Sequence, residues 1–328
     1  MLARRPWLAS LLVVSTGVPA RGLVAAGTTW SLVTEYPMTA MPGEGVAHFA
    51  AAATRLSGGA LTVRPGFDAP GGLRSAAMLR AVSEGRVEAA DAFTGALGGE
   101  AAIFQLSALP FLTASPADTE RLLQVARPAY DAALASRGLS LLYATPWPAT
   151  GIWSRKPLPG AEALQGLRVR TYDAASTVVM RSAGAAPMQI SFADAVPRLR
   201  AGELDAVLSS GDGGAGARLW EILPHFTVLD YASPLSLAFC GTAALTALPE
   251  PARAAVAQAA RETEVRQFAA IGTRLAENET RMRANGVAVA SAPTLRAALT
   301  QASTQVVRDW AARAGAEGDA ILAAYRAR

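Results

Sequence analysis

Cysteine, lysine and histidine are nearly absent from this chain. Of its 328 residues one is cysteine and two are histidine, and Lys156 is the only lysine. The single cysteine, Cys240, excludes a disulfide within the chain, and the apolar run Leu235–Cys240 predicts a buried structural thiol. His48 and His225 have no metal-ligand spacing, and no serine-elbow motif accompanies them, so we expect both to be structural. No catalytic residue, metal or cofactor is predicted.

A long apolar run is also missing after the first 26 residues, so the mature chain is expected to be soluble. Residues 1–26 are typical of a secretory leader, with Arg4-Arg5 before the short apolar run Trp7–Val14. Cleavage could follow Val24–Ala26 or, as a second candidate, Val18–Ala20. The Arg4-Arg5 pair fits a twin-arginine export signal and an ordinary leader equally well, and both remain open.

The basic charge of the chain is concentrated in this leader. Arg4, Arg5 and Arg21 are its only charged residues, so its removal takes the formal net charge from +4 to +1. A nearly neutral mature chain gives no reason to expect a nucleic-acid partner. An exported protein without disulfides fits the bacterial periplasm, which is the predicted location.

Predicted strands and helices alternate along the chain and then begin the same alternation again. This order indicates an α/β fold, with mostly parallel sheets covered by helices. We predict a first lobe over residues 27–147, completed by about 232–265. A second lobe is predicted over residues 148–231, completed by about 266–300, with C-terminal helices over 301–328. A long helical pattern runs from Pro251 to Gly286.

An internal similarity supports two related lobes. The segment Ala81–Ala90 and the segment Arg198–Val207 each combine a helix end, a capping glycine, one charged residue and the start of a strand. Equivalent turns in two lobes would produce this similarity, although chance among common α/β turns is the alternative. Two similar lobes with a cleft between them are the architecture of a solute-binding protein.

The strand Leu167–Thr171 carries the first candidate for ligand binding. Alternation puts Arg168 and Arg170 on one side of this strand, and Arg170 lies near its carboxyl end, where α/β proteins bind ligands. The guanidinium is forked and permanently charged, so it suits bidentate capture of a carboxylate. Taken alone, Arg170 is more readily explained as a surface residue that is paired with Asp173 or left in water.

A glycine-rich segment supports a competing function. Gly211–Gly216 fits the G-x-G-x-x-G pattern of dinucleotide-binding proteins, follows a predicted strand and precedes a predicted helix, Ala217–Leu223. Asp230 lies 19 residues past Gly211, near the spacing of the ribose-binding acid. Against this hypothesis, the following helix is short, and a nicotinamide cofactor is not expected behind an export leader. A dinucleotide-dependent oxidoreductase therefore remains the alternative.

Several short motifs, taken in order, resemble the DctP-type solute receptors of TRAP transporters. The similarity runs from about Trp30 to about Glu279. Its landmarks are the helix end Leu56–Gly59, the segment Ala108–Leu112, the strand Leu164–Arg170, which is similar to the family's "LKGLKIR", and the turn Ala201–Ala206, which is similar to its "TGVVDG".

The resemblance implies a non-catalytic periplasmic receptor with two α/β lobes and long helices that bridge them. Such a receptor binds an organic acid and delivers it to a TRAP membrane permease, and a monomer is expected. The family's carboxylate-binding arginine falls on Arg170. Two positions differ: Ser209-Ser210 stands where the family often has Asn, and Thr150–Trp153 stands where some members have a second arginine.

These differences lead to a prediction about the ligand. Trp153 in place of a second arginine favours a monocarboxylate with an aromatic or apolar body. Aromatic residues at predicted cleft edges also include Tyr172 and Trp220. The predicted ligand-binding residues are Arg170, Ser209, Trp153, Glu35, Tyr36, Phe93, Trp147 and Ser210.

Overall fold

Two β-sheets covered by helices organise the chain. The computed structural model describes residues 27–113 and 115–327. The predicted leader at residues 1–26 lies outside the described residues. Two mixed sheets with helices on their faces confirm the predicted α/β class.

The strands divide between the two sheets in a simple way. In the described part of the chain they are β1 (Thr28–Thr34), β2 (Leu61–Gly66), β3 (Ala89–Phe93), β4 (Leu139–Pro146), β5 (Thr150–Ser154), β6 (Arg168–Thr171), β7 (Ala186–Gln189), β8 (Ala206–Ser210), β9 (His225–Val228), β10 (Leu235–Gly241) and β11 (Ala288–Ser291). The first sheet has the order β2-β1-β3-β10-β4, and the second has the order β11-β9-β5-β8-β6-β7. We call each sheet with its covering helices the first and the second lobe.

Each sheet combines parallel and antiparallel pairs. In the first sheet β1 runs parallel to β2 and β3, whereas β10 runs antiparallel to β3 and β4. In the second sheet β6 is parallel to β7 and β8, and β5 is antiparallel to β8 and β9. Each sheet therefore contains parallel strands together with one antiparallel strand, β10 in the first sheet and β5 in the second, that follows a passage of the chain from the other lobe.

The helices follow the predicted alternation closely. The α-helices are α1 (Met41–Leu56), α2 (Ser75–Ser83), α3 (Pro116–Ala135), α4 (Ala174–Ser182), α5 (Phe192–Arg200), α6 (Gly211–Gly216), α7 (Thr242–Thr246), α8 (Glu250–Ala284) and α9 (Pro293–Arg326). Short 3₁₀ segments occupy Pro70–Gly72, Thr94–Leu97, Ala102–Ala108, Ala161–Leu164 and Leu219–Glu221.

Two expected α-helices are 3₁₀ segments instead. The sequence also predicts a helix from Glu100 to Leu106. The structure has the 3₁₀ segment Ala102–Ala108 there, which ends before Leu109-Pro110 because the residue before a proline disfavours the helical region. The helix predicted at Ala217–Leu223 is reduced to one 3₁₀ turn. Arg218 precedes that turn with a φ of 52°, which is incompatible with a continuous right-handed helix.

The chain passes between the lobes twice as an extended segment, and these two crossings are hydrogen-bonded to each other. It leaves the first sheet after β4 and returns before β10. The amide of Trp147 donates to the carbonyl oxygen of Pro234 at 2.9 Å. The amide of Thr150 donates to the carbonyl oxygen of Ala232 at 2.8 Å, and its own carbonyl oxygen accepts from the Tyr231 amide at 2.9 Å. The crossings thus form one short two-stranded connection between the lobes.

Two long helices also bridge the lobes, as predicted. The N-terminal half of α8 packs on α1 and β4, where Val256 and Ala259 join Phe49 and Tyr143 in a buried cluster. The C-terminal half of α8 contacts α6 and β11, and its Met282 belongs to the core of the second lobe.

The helix α9 bridges the lobes through a break at Gly315. The predicted terminal helices are its two arms, and Gly315 joins them with a φ of 59° and a ψ of −150°, a conformation open to glycine. Leu295 and Leu299 pack in the core of the second lobe, whereas Trp310 and Leu322 pack in the core of the first.

Trp310 fastens this helix to the first lobe. Its indole is fully buried, and its Nε1–H donates to the carbonyl oxygen of Ala102 at 2.8 Å. Because large-to-small changes in a core leave a cavity, Trp310→Ala is expected to lower the free energy of unfolding by about 3–5 kcal/mol in urea denaturation. Val265→Ala, on the exposed side of α8, is the control and should change it by less than about 0.5 kcal/mol. Equal losses in both variants would contradict the anchoring role.

Candidate functional site

A cavity lies between the lobes, next to the crossings. Its empty space, counted together with the solvent that opens onto it, is about 370 Å³. The lining residues come from the carboxyl ends of strands in both sheets, from the first residue of α5 and from the crossings. They are Tyr36, Phe93, Trp147, Thr150, Arg170, Tyr172, Phe192, Ser209, Ser210, Gly213 and Pro234.

The two arginines of β6 have opposite surroundings. Arg168 is exposed and makes a two-point ion pair with Asp205, with contacts of 2.6 and 2.8 Å. Arg170 is 5% exposed, and its Nε and Nη1 donate to the carbonyl oxygens of Ile190 and Leu208 at 3.0 and 3.1 Å. These bonds fix the orientation of the Arg170 guanidinium at the cavity wall.

The charge of Arg170 has no counter-ion in the part of the chain that the structure describes. Among the described residues, no carboxylate oxygen lies within 4.0 Å of its nitrogens, and its Nη2 makes no hydrogen bond to them. Burial lowers the pKa of Arg170, an effect opposed by the nearby Tyr36 and Glu35. A buried cation with an unused N–H edge is a ready position for an anion, because pairing offsets the free-energy cost of removing the charge from water.

Aromatic rings form the walls around this guanidinium. The rings of Tyr36 and Trp147 meet edge to face with centroids 4.7 Å apart, and those of Phe93 and Tyr172 do so at 5.2 Å. The Arg170 guanidinium lies 5.8 Å from the ring centroid of Tyr172 and 5.6 Å from that of Phe192. These walls are apolar and flat, so they suit the body of a small planar or compact molecule.

The polar edge of the cavity is the end of β8. Ser210 is the N-cap of α6, and its Oγ accepts a hydrogen bond from the Gly213 amide at 3.1 Å. A Cβ at Gly213 would lie 2.7 Å from the Ser209 Oγ, so any other residue there would force that hydroxyl to move. The chain therefore brings two hydroxyls and a bare backbone segment to the side of the cavity that Arg170 shares.

Six of the eight predicted binding residues line the cavity. They are Arg170, Ser209, Ser210, Tyr36, Phe93 and Trp147. Glu35 and Trp153 do not, although Glu35 lines an adjoining pocket that shares Arg170 with this cavity. Glu35 accepts from the amide of Ser75 at 2.8 Å and from the amide of Phe192 at 3.1 Å, so its carboxylate is used in joining the lobes.

Trp153 is a packing residue and does not line the cavity. Its indole is fully buried against Phe226, and its Nε1–H donates to the Ser210 carbonyl oxygen at 3.0 Å. The Trp153 ring occupies the space beside Gly214, where an added Cβ would lie 2.1 Å from it. Thr150, three residues earlier, is the residue of β5 that reaches the cavity.

Sequence reasoning missed Thr150, Phe192, Gly213 and Pro234 in the lining. The sequence could have indicated Phe192, because it is the first residue of a helix, α5, that follows the end of strand β7 with Ser191 as its N-cap. Such strand ends are where α/β proteins bind ligands. Its place opposite Tyr36, with ring centroids 6.5 Å apart, depends on how the two lobes meet, and one strand-and-helix pattern does not contain that information.

The glycine-rich segment does not form a dinucleotide-binding turn. Gly211–Gly216 is itself helical, whereas the fingerprint requires a glycine turn between a strand and the start of a helix. Its glycines are needed for close packing: Gly214 touches the Trp153 ring, and a Cβ at Gly211 would lie 3.2 Å from Met282. The pattern that predicted a phosphate-binding turn therefore has a packing cause.

A family comparison decides the identity. The sequence profile of the DctP family, described as bacterial extracellular solute-binding protein, family 7, matches residues 33–313. This chain belongs to the DctP family. It is therefore a solute-binding receptor of the TRAP transport class and not an enzyme, and the oxidoreductase alternative is wrong.

Solved structures of DctP-type receptors have the same fold. The Bordetella pertussis extracytoplasmic solute receptor DctP7, which binds pyroglutamic acid, is 28% identical to this chain with a TM-score of 0.88, covering 92% of this chain and 100% of that one. A marine metagenome TRAP solute-binding protein specific for pyroglutamate is 27% identical, with a TM-score of 0.87 and coverage of 92% and 99%.

A more distant structure shares the fold alone. The TRAP periplasmic solute-binding protein from Ralstonia eutropha, solved with (S)-2-acetolactate, is 20% identical with a TM-score of 0.85, covering 92% of this chain and 99% of that one. Among curated proteins none matches the chain significantly.

Metal-binding and membrane-spanning features are absent from the described part of this receptor. Residues 27–113 and 115–327 contain no group of three or more His, Cys, Asp or Glu side chains arranged to hold a metal ion. Within the same residues no helix is both long and apolar enough to cross a bilayer. Cys240 is fully buried, and burial raises its pKa to about 12.

Asp91 of β3 makes the stability of this receptor depend on pH. The side chain is fully buried with one hydrogen bond, from the Thr34 hydroxyl at 3.1 Å, and burial raises its pKa to about 7. The unfolded chain loses this proton near pH ~4. Between these pH values the folded state holds the proton more tightly, so stability falls as pH rises through that window and levels off above about 7.

Asp91→Asn should therefore remove part of the pH dependence. We expect the wild-type free energy of unfolding to fall by about 2 kcal/mol more than that of Asp91→Asn between about pH 5 and about pH 7. Urea denaturation at several pH values measures both proteins. Asp309→Asn, which changes an exposed carboxylate, should keep the wild-type slope. A slope unchanged in Asp91→Asn would show that this carboxyl does not titrate in the window.

Proposed function

We propose that this receptor binds a small monocarboxylate in the cavity between the lobes, with the carboxylate held by Arg170. The observation that carries the proposal is the buried Arg170 guanidinium, which reaches the cavity without a carboxylate partner among the described residues. The receptor acts as a monomer in the periplasm and delivers the acid to a TRAP membrane permease. The predicted leader and the family support this location.

The charge pattern of the cavity supports one carboxylate and no ammonium group. Arg170 is the only cation among the described lining residues, so a second carboxylate would have no charged partner there. None of those lining residues is acidic either, and the carboxylate of Glu35 is already bonded to two backbone amides. An α-amino acid would bury its ammonium group unpaired, at a cost that disfavours it.

Pyroglutamate is the first candidate within this class. It has one carboxylate, no ammonium group and a compact ring with an amide that can exchange hydrogen bonds. The apolar walls suit the ring, and Thr150, Ser209 and Ser210 supply hydroxyls for the amide. Two structural relatives at 27–28% identity bind pyroglutamate. The sequence analysis favoured an aromatic or apolar acid because Trp153 stands where some relatives have a second arginine. That argument no longer supports the ligand class, because Trp153 lies outside the cavity.

Ligand capture involves closure of the lobes about the crossings. The paired segments at Trp147–Thr150 and Tyr231–Pro234 connect the lobes and absorb the rotation, in the hinge manner of periplasmic binding proteins. In the described conformation the cleft is closed, because Arg74 in the first lobe pairs with Asp194 in the second at 2.7 Å.

A thermal-shift series tests the ligand class. L-Pyroglutamate should raise the melting temperature, because a ligand at a hundredfold excess over its dissociation constant stabilises the folded state by about 2.7 kcal/mol. Succinate and L-glutamate should give much smaller shifts, and NADH should give none. Stabilisation by succinate alone would refute the monocarboxylate while leaving an acid receptor. No stabilisation by any organic acid would refute the function proposed for Arg170.

Substitution of Arg170 tests the binding residue directly. Leaving a ligand carboxylate unpaired costs about 2–5 kcal/mol, so Arg170→Ala should weaken L-pyroglutamate binding roughly thirty- to several-thousand-fold in calorimetric titration. Arg170→Lys should also bind weakly, because an ammonium keeps the charge and loses the forked geometry.

Arg168→Ala is the matched control for this experiment. It removes an arginine two positions earlier on the same strand, whose ion pair with Asp205 lies at the surface. Its affinity should stay within about threefold of wild type. Wild-type affinity in Arg170→Ala, with the fold intact by circular dichroism, would contradict the proposed role.

A further inference from the structure

Asp212, inside the glycine-rich segment, makes contacts that no ligand-binding role explains. Its side chain is 1% exposed and belongs to α6 of the second lobe. One carboxylate oxygen accepts from the Met41 amide of the first lobe at 2.8 Å. The other accepts from the Asn278 side chain of α8 at 3.1 Å and lies 3.5 Å from the Nε of Arg274. A single buried carboxylate thus joins both lobes and one bridging helix.

The bond to Met41 supplies a cap that α1 lacks. The N-cap of α1 is Ala40, whose side chain cannot accept a hydrogen bond, and Pro42 follows Met41 without an N–H of its own. The first amides of a helix need acceptors, and a negative charge there interacts favourably with the helix dipole. In this receptor the acceptor for Met41 comes from the opposite lobe.

The bridging helix reinforces the same junction. Arg274 of α8 also forms an ion pair with Glu44 in the first turn of α1. The Gln267 side chain of α8 donates to the Met41 carbonyl oxygen. Separation of the lobes would break the bond from the Met41 amide to the Asp212 carboxylate, and hydrogen bonds to a charged group are stronger than neutral ones. The junction therefore favours the closed arrangement.

The position of Asp212 connects this junction to the ligand cavity. Ser210, two residues before Asp212, and Gly213, directly after it, line the cavity and are bonded to each other at the start of α6. Gly214 is packed tightly on Trp153, so α6 has little freedom to move separately from β5. A ligand that holds Ser210 and Gly213 in place consequently holds the carboxylate of Asp212 against α1.

We propose that Asp212 is a positioning residue that holds the lobes together over an occupied cavity by capping α1 from the second lobe. This proposal rests on the proposed function only in assuming that a ligand occupies the cavity. The ion pair between Arg74 and Asp194 also crosses the cleft, but its side chains are 30% and 47% exposed, so it contributes little in water. Asp212 is buried, and its loss should be felt mainly when the lobes separate.

Ligand dissociation rates test the proposal. Stopped-flow fluorescence of Trp147, which lines the cavity, gives association and dissociation rates for L-pyroglutamate. Asp212→Ala should raise the dissociation rate roughly tenfold or more, because a buried charged partner is lost, and should change the association rate by less than about threefold. Asp212→Asn keeps an acceptor for Met41 and loses the charge beside Arg274, so its dissociation rate should lie between those of wild type and Asp212→Ala.

Ser115→Ala is the matched control. Ser115 caps α3 by accepting from the Asp118 amide at 3.1 Å, and cap and helix belong to the same lobe. This variant should melt at a lower temperature, as Asp212→Ala should, while both of its ligand rates stay at wild-type values. A wild-type dissociation rate in folded Asp212→Ala, or an equal rise in Ser115→Ala, would overturn the proposal.

Amide hydrogen exchange tests the junction without any ligand. In the wild type the Met41 amide should exchange roughly tenfold or more slowly than in Asp212→Ala, whereas Ser115→Ala should change exchange only at the start of α3. Equal exchange at Met41 in wild type and Asp212→Ala would also overturn the proposal. If L-pyroglutamate fails to bind the wild type, only the proposed ligand fails, and the rates are then measured with the acid that gives the largest thermal shift.

Discussion

The proposed binding site depends on one buried cation, Arg170, that has no counter-ion among the described residues. Removing a guanidinium from water is costly unless an anion and hydrogen bonds replace the lost hydration. For Arg170 the fold supplies two carbonyl acceptors and two aromatic faces, but no carboxylate among the described residues. The missing charge is left for the ligand. An occupied site therefore completes an interaction that the empty protein contains only in part.

The lobes matter because they complete the surroundings of this cation from both sides. Tyr36 and Phe93 come from the first sheet, whereas Arg170 and Phe192 come from the second lobe. Neither lobe alone encloses the guanidinium. The crossings and the helices α8 and α9 hold the lobes in register, so that a hinge motion can open the cavity without losing the alignment of its walls. Closure then buries the charge and its partner together.

Much of this arrangement could be predicted from local patterns. Alternation and glycine caps located most strands and helices within a few residues, and the strand end at Arg170 lies at the cavity because parallel strands bring their carboxyl ends to one edge. What local patterns do not contain is the contact between lobes. Glu35 and Phe192 are joined through a backbone amide across the cleft, and no spacing in the sequence relates residues so far apart.

Trp153 and the glycine-rich segment show the same difficulty in a single contact. The indole of Trp153 on β5 suggested a wall of the ligand cavity, and the glycines suggested a phosphate-binding turn. In the structure the indole and the glycines pack against each other instead. The Trp153 ring fills the space where side chains at Gly214 would stand, so the helix α6 is glycine-rich because a large ring packs against its backbone. Close approach of a backbone requires glycine whether the neighbour is a phosphate or an indole. The pattern alone cannot distinguish a phosphate from an indole as the neighbour. Here the glycines of α6 pack on Trp153, while Asp212 contacts α1 and Ser209 and Ser210 line the cavity.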